Sequence, residues 1–223
     1  MNERTQQRDD ILIATLAETT FDGWTARALR TGAVAAGFDA ATARRLFPGG
    51  IPDVIDHLSD WLDRRMQDGL AHADLTALRT PDRIALAVRL RLAALSPYRE
   101  GCRRLASHLA LPVAAAQGLR HLARAADAIW VAVGDQATDI NWYSKRATLA
   151  AVYSTTFLFW LDDRSEDDRE TMAFLERRLG NAAQFGKAAR RLGALTTLGG
   201  LLPSPLRMMR QVRRQRTARP PVR

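Results

Sequence analysis

One cysteine, Cys102, is all that the 223 residues contain. That excludes an intrachain disulfide framework and points to a reducing compartment. No segment alternates apolar and polar residues as a half-buried strand does, and alanine and leucine dominate over β-branched residues. Both absences argue against a sheet and for helices. The longest strongly apolar run, residues 147–161, is 15 residues long and includes a serine and threonines. A membrane span needs about 20, so the run reads as a buried helix. The opening MNERTQQRDD is polar and partly acidic, unlike a signal peptide or an arginine-rich transit sequence.

Catalytic chemistry is equally sparse. The four histidines, His57, His72, His108 and His121, form no HExxH or ExxH pattern, and Cys102 has no paired cysteine. Asp53, His57 and Asp60 approach one helical face, with Asp56 nearby, but a solvated, capped helix start accounts for them without a metal. The glycine pairs at 49–50 and 199–200 lack the lysine and hydroxyl of a phosphate-binding loop. Ser154, Thr155 and Thr156 have no neighbouring His-Asp arrangement. No catalytic constellation emerges, so the expectation is a protein that is not an enzyme and needs no cofactor or metal.

What the chain does have is a basic end. Residues 187–223 hold ten Lys/Arg and no acid, so the 186 residues before them are close to neutral at −1 out of a total of +9. A tail of this kind meets anionic lipid, nucleic acid or an acidic protein, or serves as a solubilising end. Within it, SPLRMMRQVRRQR forms a short amphipathic helix near 205–216. Leu206, Met208, Met209 and Val212 make its apolar side, and Arg207, Arg210, Arg213 and Arg214 surround them with cations whose stems can snorkel. Such a helix is short enough that membrane contact is peripheral. Nucleic acid is the alternative, but the tail lacks stacking aromatics.

The rest of the chain reads as helices. The periodicity predicts them over 5–19, 24–36 and a short AATARRLF capped by Asp39. A longer helix opens at Pro52 and runs to Leu70, and another runs from Pro81 to Ser96-Pro97. Four more follow at 98–110, 112–133, 142–161 and 167–185. This is an all-α chain in which a three-helix, helix-turn-helix-like unit leads into a larger bundle. DNA binding is the first function such a unit brings to mind. Residues 1–60, however, carry six Arg against nine Asp/Glu, and the third helix offers no Asn, Gln or Lys to read base edges. Specific DNA is therefore not an expected partner.

Two further features concern the bundle. On the helix over 142–161, Leu149, Val152, Tyr153, Thr156, Phe157 and Trp160 share a broad stripe, with Ile129 and Trp130 on the helix before it. Such a stripe fills a core or lines a tunnel for a long apolar ligand, and the letters serve both. Immediately ahead of it stands DINWYSKR, residues 139–146, a candidate for a catalytic site, a buried corner or a surface read by another protein.

The segments FDGWTARALRTGA, LFPGG, SPYRE, DAIW, GDQATDINWYSKR, YSTTFLFWLDDRSED and TMAFLERRL together resemble the bacterial relatives of a ubiquinone (coenzyme Q) biosynthesis accessory lipid-binding family, number nine in that pathway. The resemblance runs from Arg8 to about Gly186 and implies a TetR-like fold, a homodimer and a non-enzymatic role. It implies a degenerate helix-turn-helix-like unit over 1–50, a lipid-binding bundle over 51–186 and a basic tail over 187–223. It places a partner-binding surface for a quinone-ring hydroxylase on Asp139, Asn141, Trp142, Tyr143, Lys145 and Arg146. Lys145 and Arg146 are there expected to meet acids on the partner, and Asp139 or Asn141 to cap the helix; the alternative is that Asp135 and Asp139 orient the loop. The stripe then becomes the candidate lipid site, holding an isoprenoid quinone intermediate or phospholipid. The expected location is cytoplasmic, at the inner face of the bacterial membrane and in contact with anionic lipid. A TetR-like regulator with an apolar effector pocket and a general lipid chaperone are the competing readings.

Overall fold

The structure is a computed structural model that describes residues 2–135 and 140–198, with backbone alone at 140, 141 and 185–198. Its helices are α1 (Glu3–Asp22), α2 (Ala26–Ala35), α3 (Ala40–Leu46), α4 (Ile51–Ala71), α5 (Thr80–Leu95), α6 (Arg99–Leu109), α7 (Pro112–Ala132), α8 (Ile140–Asp162) and α9 (Arg169–Leu198). Single 3-10 turns at Ser96–Tyr98 and Glu166–Asp168 introduce α6 and α9. No strand occurs among the described residues, and no described helix is long and apolar enough to cross a membrane. Of the described residues, contacts group those up to 180 into one compact unit and 181–198 into another. In the second unit, residues 181–198 are helical.

The helix starts follow local chemistry. Asn2, Thr25 and Asp39 each accept a hydrogen bond from the backbone N–H three residues on, capping α1, α2 and α3. Proline occupies the first turn of α4, α5 and α7, where its missing N–H costs nothing. Asp39 was expected as a cap and is one. The last helix runs on beyond the expected residue 185 to Leu198, passing Gly186 and Gly193 in a stretch otherwise rich in the helix formers alanine, leucine and arginine.

In the first unit, α1 is the central rod of the N-terminal helices. It packs against α2 and also against α4 and α6, burying Ile11, Leu12 and Leu16 completely. The contact with α2 is closer than ordinary side chains permit. A Cβ added to Gly32 would lie 2.6 Å from the backbone nitrogen of Thr15. On the other flank, a Cβ at Gly101 of α6 would lie 2.3 Å from the Thr19 hydroxyl, and the Gly101 carbonyl accepts a hydrogen bond from the Trp24 indole at 3.0 Å. Glycine at these two positions lets three helices meet backbone to backbone.

Gly32→Ala is therefore expected to destabilise the protein by about 2 kcal/mol, because backbone rather than a flexible side-chain end blocks the new methyl. Gly180→Ala, on an exposed stretch of α9 with nothing within 4 Å, should stabilise by up to about 1 kcal/mol through helix propensity. Thermal melts of the two variants should move in opposite directions.

Candidate functional site

α7 and α8 pack as a hairpin, and both sequence-predicted sites lie on it. The stripe folds inward. Ile129, Leu149, Thr156 and Trp160 are essentially inaccessible, Val152 and Tyr153 are buried, and Trp130 and Phe157 are partly exposed. The rings of Phe157 and Trp160 lie 5.8 Å apart. The six α8 residues thus share one face but are distributed unevenly between core and rim, while Trp130 lies beside Lys145.

Trp160 is held on every side. Arg99 of α6 stacks over its ring at 4.4 Å and donates to the carbonyls of Trp160 and Asp163 and to the Asp168 carboxylate. The indole N–H donates to the other oxygen of Asp168 at 3.0 Å. Asp167 and Asp168 both sit in the left-handed region, at φ of 54° and 55°, a conformation aspartate tolerates better than most residues. Asp163 completes the corner by accepting from the Ser165 N–H and from both the N–H and the hydroxyl of Thr171. Burial pushes its carboxyl up, but these hydrogen bonds outweigh burial and bring the pKa to about 2. Trp160, expected to line a lipid passage, is the keystone of the α8–α9 corner.

The stripe also meets charge. Arg91 of α5 is only 2% exposed. It donates to Asp63 of α4, sits 5.5 Å from the ring centre of Tyr153, and reaches the Tyr153 hydroxyl at 3.4 Å. Burial presses the guanidinium toward neutrality, while Tyr153 and Asp63 more than compensate, so it stays charged. Arg124 of α7 pairs with Asp60 and with the second oxygen of Asp63. Four helices thus converge on one ionic chain. One polar atom on the stripe stands apart: the Thr156 hydroxyl is buried with no hydrogen-bond partner, an arrangement that costs about 1–3 kcal/mol.

At the opposite end of α8, Tyr143 is 71% exposed and packs edge-on against half-buried Trp142, with ring centres 4.7 Å apart. The geometry departs from expectation at the two cations. Arg146 is buried, stacks on Trp142 at 4.0 Å, and donates to Asp127 of α7 at 2.5 Å and to Asp135 at 3.4 Å. Lys145 bonds Asp135 at 2.7 Å and lies 5.2 Å over Trp130, whose indole donates to the Lys145 carbonyl. The hydrogen bond from Lys145 is the main cause of the lowered Asp135 pKa. Both charges are thus paired within this end of the chain, Arg146 buried and Lys145 partly exposed, and Tyr143 is the large ring left open beside them. Asp139 and the tail residues Leu206, Arg207, Met208, Met209, Arg210, Val212, Arg213 and Arg214 lie outside the described residues, and Asn141 is described only as backbone of α8.

The acidic cluster at the start of α4 separates. Asp53 accepts from the Gly49 N–H, Asp56 faces Gln117 and His121, His57 pairs with Asp9 at 2.7 Å, and Asp60 pairs with Arg124. Burial, then Arg8, holds the His57 pKa down. No group of three metal-ligating side chains gathers among the described residues. Sequence reasoning missed one arrangement, Ser59–His121–Asp56, with contacts of 2.7 and 3.0 Å. It has the order of a nucleophilic relay, but Ser59 is buried in mid-helix, where the N–H groups of its own helix are spent on i−4 carbonyls and offer no oxyanion site. It is a clamp between α4 and α7. His121 lies 62 residues from Ser59 in sequence, too far for local spacing to reveal.

Removing one partner of the buried ion pair, as in Asp63→Asn, should destabilise by about 3–5 kcal/mol because Arg91 is left charged and unmatched. Combining Asp63→Leu with Arg91→Met should recover most of that loss. Denaturant unfolding of the single and double variants checks both.

Comparison with known proteins places this hairpin. The COQ9 family model matches residues 115–186, which span most of α7, all of α8 and the start of α9. The human protein named ubiquinone biosynthesis protein COQ9, mitochondrial, is 35% identical over 197 residues, covering 85% of this chain and 61% of that protein. The COQ9-B protein of Xenopus laevis is 32% identical over 203 residues, covering 86% of this chain and 67% of its own length. The chain thus spans about three fifths of the length of the mammalian relatives it matches. Among solved structures, a TetR transcriptional regulator from Nitrosomonas europaea superposes with a TM-score of 0.64 at 24% identity, over 80% of this chain and 99% of that one. That likeness establishes the all-α, TetR-like fold. The sequence relatives show that the chain belongs to the COQ9 family.

Proposed function

We propose that this chain serves ubiquinone biosynthesis as a lipid-binding accessory protein that makes no bonds itself. In this reading it holds an isoprenoid quinone intermediate along the α8 stripe and presents it to a ring hydroxylase that docks at Trp142 and Tyr143. The observation that carries the proposal is the family match over residues 115–186, the segment that contains both surfaces. The physical argument is that moving an isoprenoid from bilayer to protein interior exchanges one apolar surrounding for another, so the water penalty is avoided. The basic tail would bring the chain to an anionic membrane surface from the cytoplasmic side, and a homodimer belongs to the same reading. So does the division into a helix-turn-helix-like unit, a bundle and a tail.

The fold itself favours a second reading, a DNA-binding regulator with an apolar effector site. Against it stand an α3 of only seven residues and the excess of acids over bases in residues 1–60.

Two measurements test the proposal. Lipids extracted from the purified full chain and identified by mass spectrometry should include an isoprenoid quinone or its precursor, reduced several-fold in Phe157→Ala. Phospholipid alone would favour a general lipid carrier. Tyr143→Ala, which removes an exposed ring, should weaken capture of the hydroxylase at least tenfold with little change in melting temperature. Undiminished capture would remove the docking assignment.

A further inference from the structure

We infer that the elbow between α6 and α7 is a membrane contact of the folded unit itself: the apolar tip around Leu111 and Val113 enters the headgroup layer of an anionic bilayer, and Arg120 meets its phosphates. The inference stands on the described residues and depends neither on the basic tail nor on a lipid held inside the bundle.

Residues 109–116, LALPVAAA, carry no charged or hydrogen-bonding side chain. Apolar residues in such a run normally lie inside a fold, yet here most face water. Leu111 is 50% exposed and Val113 88%, the most open large apolar side chain among the described residues. Ala110, Pro112 and Ala116 are exposed as well. They sit where one helix ends and the next begins, so they form a projecting tip and not a groove. Behind the tip the two helices meet closely: a Cβ added to Gly118 of α7 would lie 3.3 Å from the Leu109 side chain of α6.

Taking a turn out of water costs most at its backbone, and here that cost is nearly met. The N–H groups of Ala110 and Leu111 donate to the carbonyls of Ala106 and His108, and those of Ala114 and Ala115 both donate to the Leu111 carbonyl. Pro112 has no N–H. Between 110 and 115, the Val113 N–H alone lacks an acceptor among the described residues.

Charge selects the partner. Residues 101–126 contain four arginines and no acid. Arg103 and Arg124 are paired with carboxylates, whereas Arg120 has no ion pair among the described residues. Arg120 follows Val113 by seven residues, which places it about 20° around α7 and roughly 10 Å further along. Its stem leans back toward the start of the helix. Interfacial segments sink about 5–10 Å into the headgroup boundary, so an inserted tip puts the guanidinium at phosphate level. The acids at the start of α4, which packs on α7, are already engaged: Asp53 by the Gly49 N–H, Asp56 by Gln117 and His121. A protein partner fits less well, since recognition surfaces are enriched in aromatic rings and the elbow has none.

The test places an environment-sensitive NBD fluorophore at Val113→Cys in the full-length chain. Burial pushes the Cys102 thiol up to about 12, so the native cysteine stays unreactive. On adding vesicles of phosphatidylcholine and phosphatidylglycerol at about 3:1, the label should brighten at least twofold and be quenched by nitroxide-bearing lipid. The same label at Arg30→Cys, exposed on α2, should do neither. Unlabelled Val113→Asp should bind the vesicles roughly three- to tenfold more weakly. Its melting temperature should not fall, because an acid in the first turn favours the helix. A label at 113 that stays in water, equal responses at 113 and 30, or an unchanged vesicle affinity in Val113→Asp would overturn the inference. So would brightening that needs no vesicles and grows with protein concentration, which would assign the elbow to contact between copies. Each of these outcomes leaves the lipid-extraction result of the reading above untouched.

Discussion

A guanidinium enclosed by helices has to meet its counter-charge before the helices can close, and Arg91 meets Asp63. The requirement reaches far beyond one ion pair. Asp63 is shared with Arg124, Arg124 reaches Asp60, and the other face of Arg91 lies against Tyr153. The relative rotation of α4, α5, α7 and α8 is therefore set by charge as well as by apolar packing. Greasy contacts tolerate small slips along a helix; a buried charge does not, because displacement leaves it unmatched in a medium of low dielectric. The apolar stripe on α8 faces where it does because Tyr153 is part of this arrangement.

The same hairpin joins interior to surface. Asp127 of α7 and Asp135 just beyond it draw in Arg146 and Lys145, and the two cations in turn brace Trp142 and Trp130. Tyr143 is left as a large ring on a fixed base, the kind of side chain that gives contact area with little entropy to lose on binding. The charges at this end of α8 act as internal scaffolding for an aromatic surface.

Much of the fold was legible in the sequence, because helix starts are local chemistry. Asp39 before AATARRLF, and Pro52, Pro81 and Pro112 at the openings of helices, are signals that act within a few residues. The segments that resemble the family were equally readable, and the comparisons agree with them. Side-chain fate was less readable. Arg83, Arg89 and Arg91 all interrupt the apolar surface of α5, yet only Arg91 is buried, because its partner lies 28 residues away on another helix. Arg146 looked like a surface cation for the same reason: Asp127, which claims it, lies 19 residues earlier. Trp160 read as one more ring in a stripe, and nothing within a turn of it shows that Arg99 would seize it from α6. Pattern reports which residues can be inside; long-range pairing decides which are immobilised there.

Because α8 runs unbroken from Ile140 to Asp162, the proposed docking end and the proposed lipid stripe are fixed to a single rod, and their relative bearing is a matter of residue count. Each residue turns an α-helix by about 100° and lengthens it by about 1.5 Å. One residue inserted between Thr148 and Leu149 would swing Tyr143 about a quarter-turn away from the direction set by Tyr153, with every individual contact residue still present. Seven inserted residues would restore the bearing to within about 20° but move the two sites roughly 10 Å further apart. The spacing between them is thus a register, which side-chain substitutions along α8 leave intact and a change in its length does not.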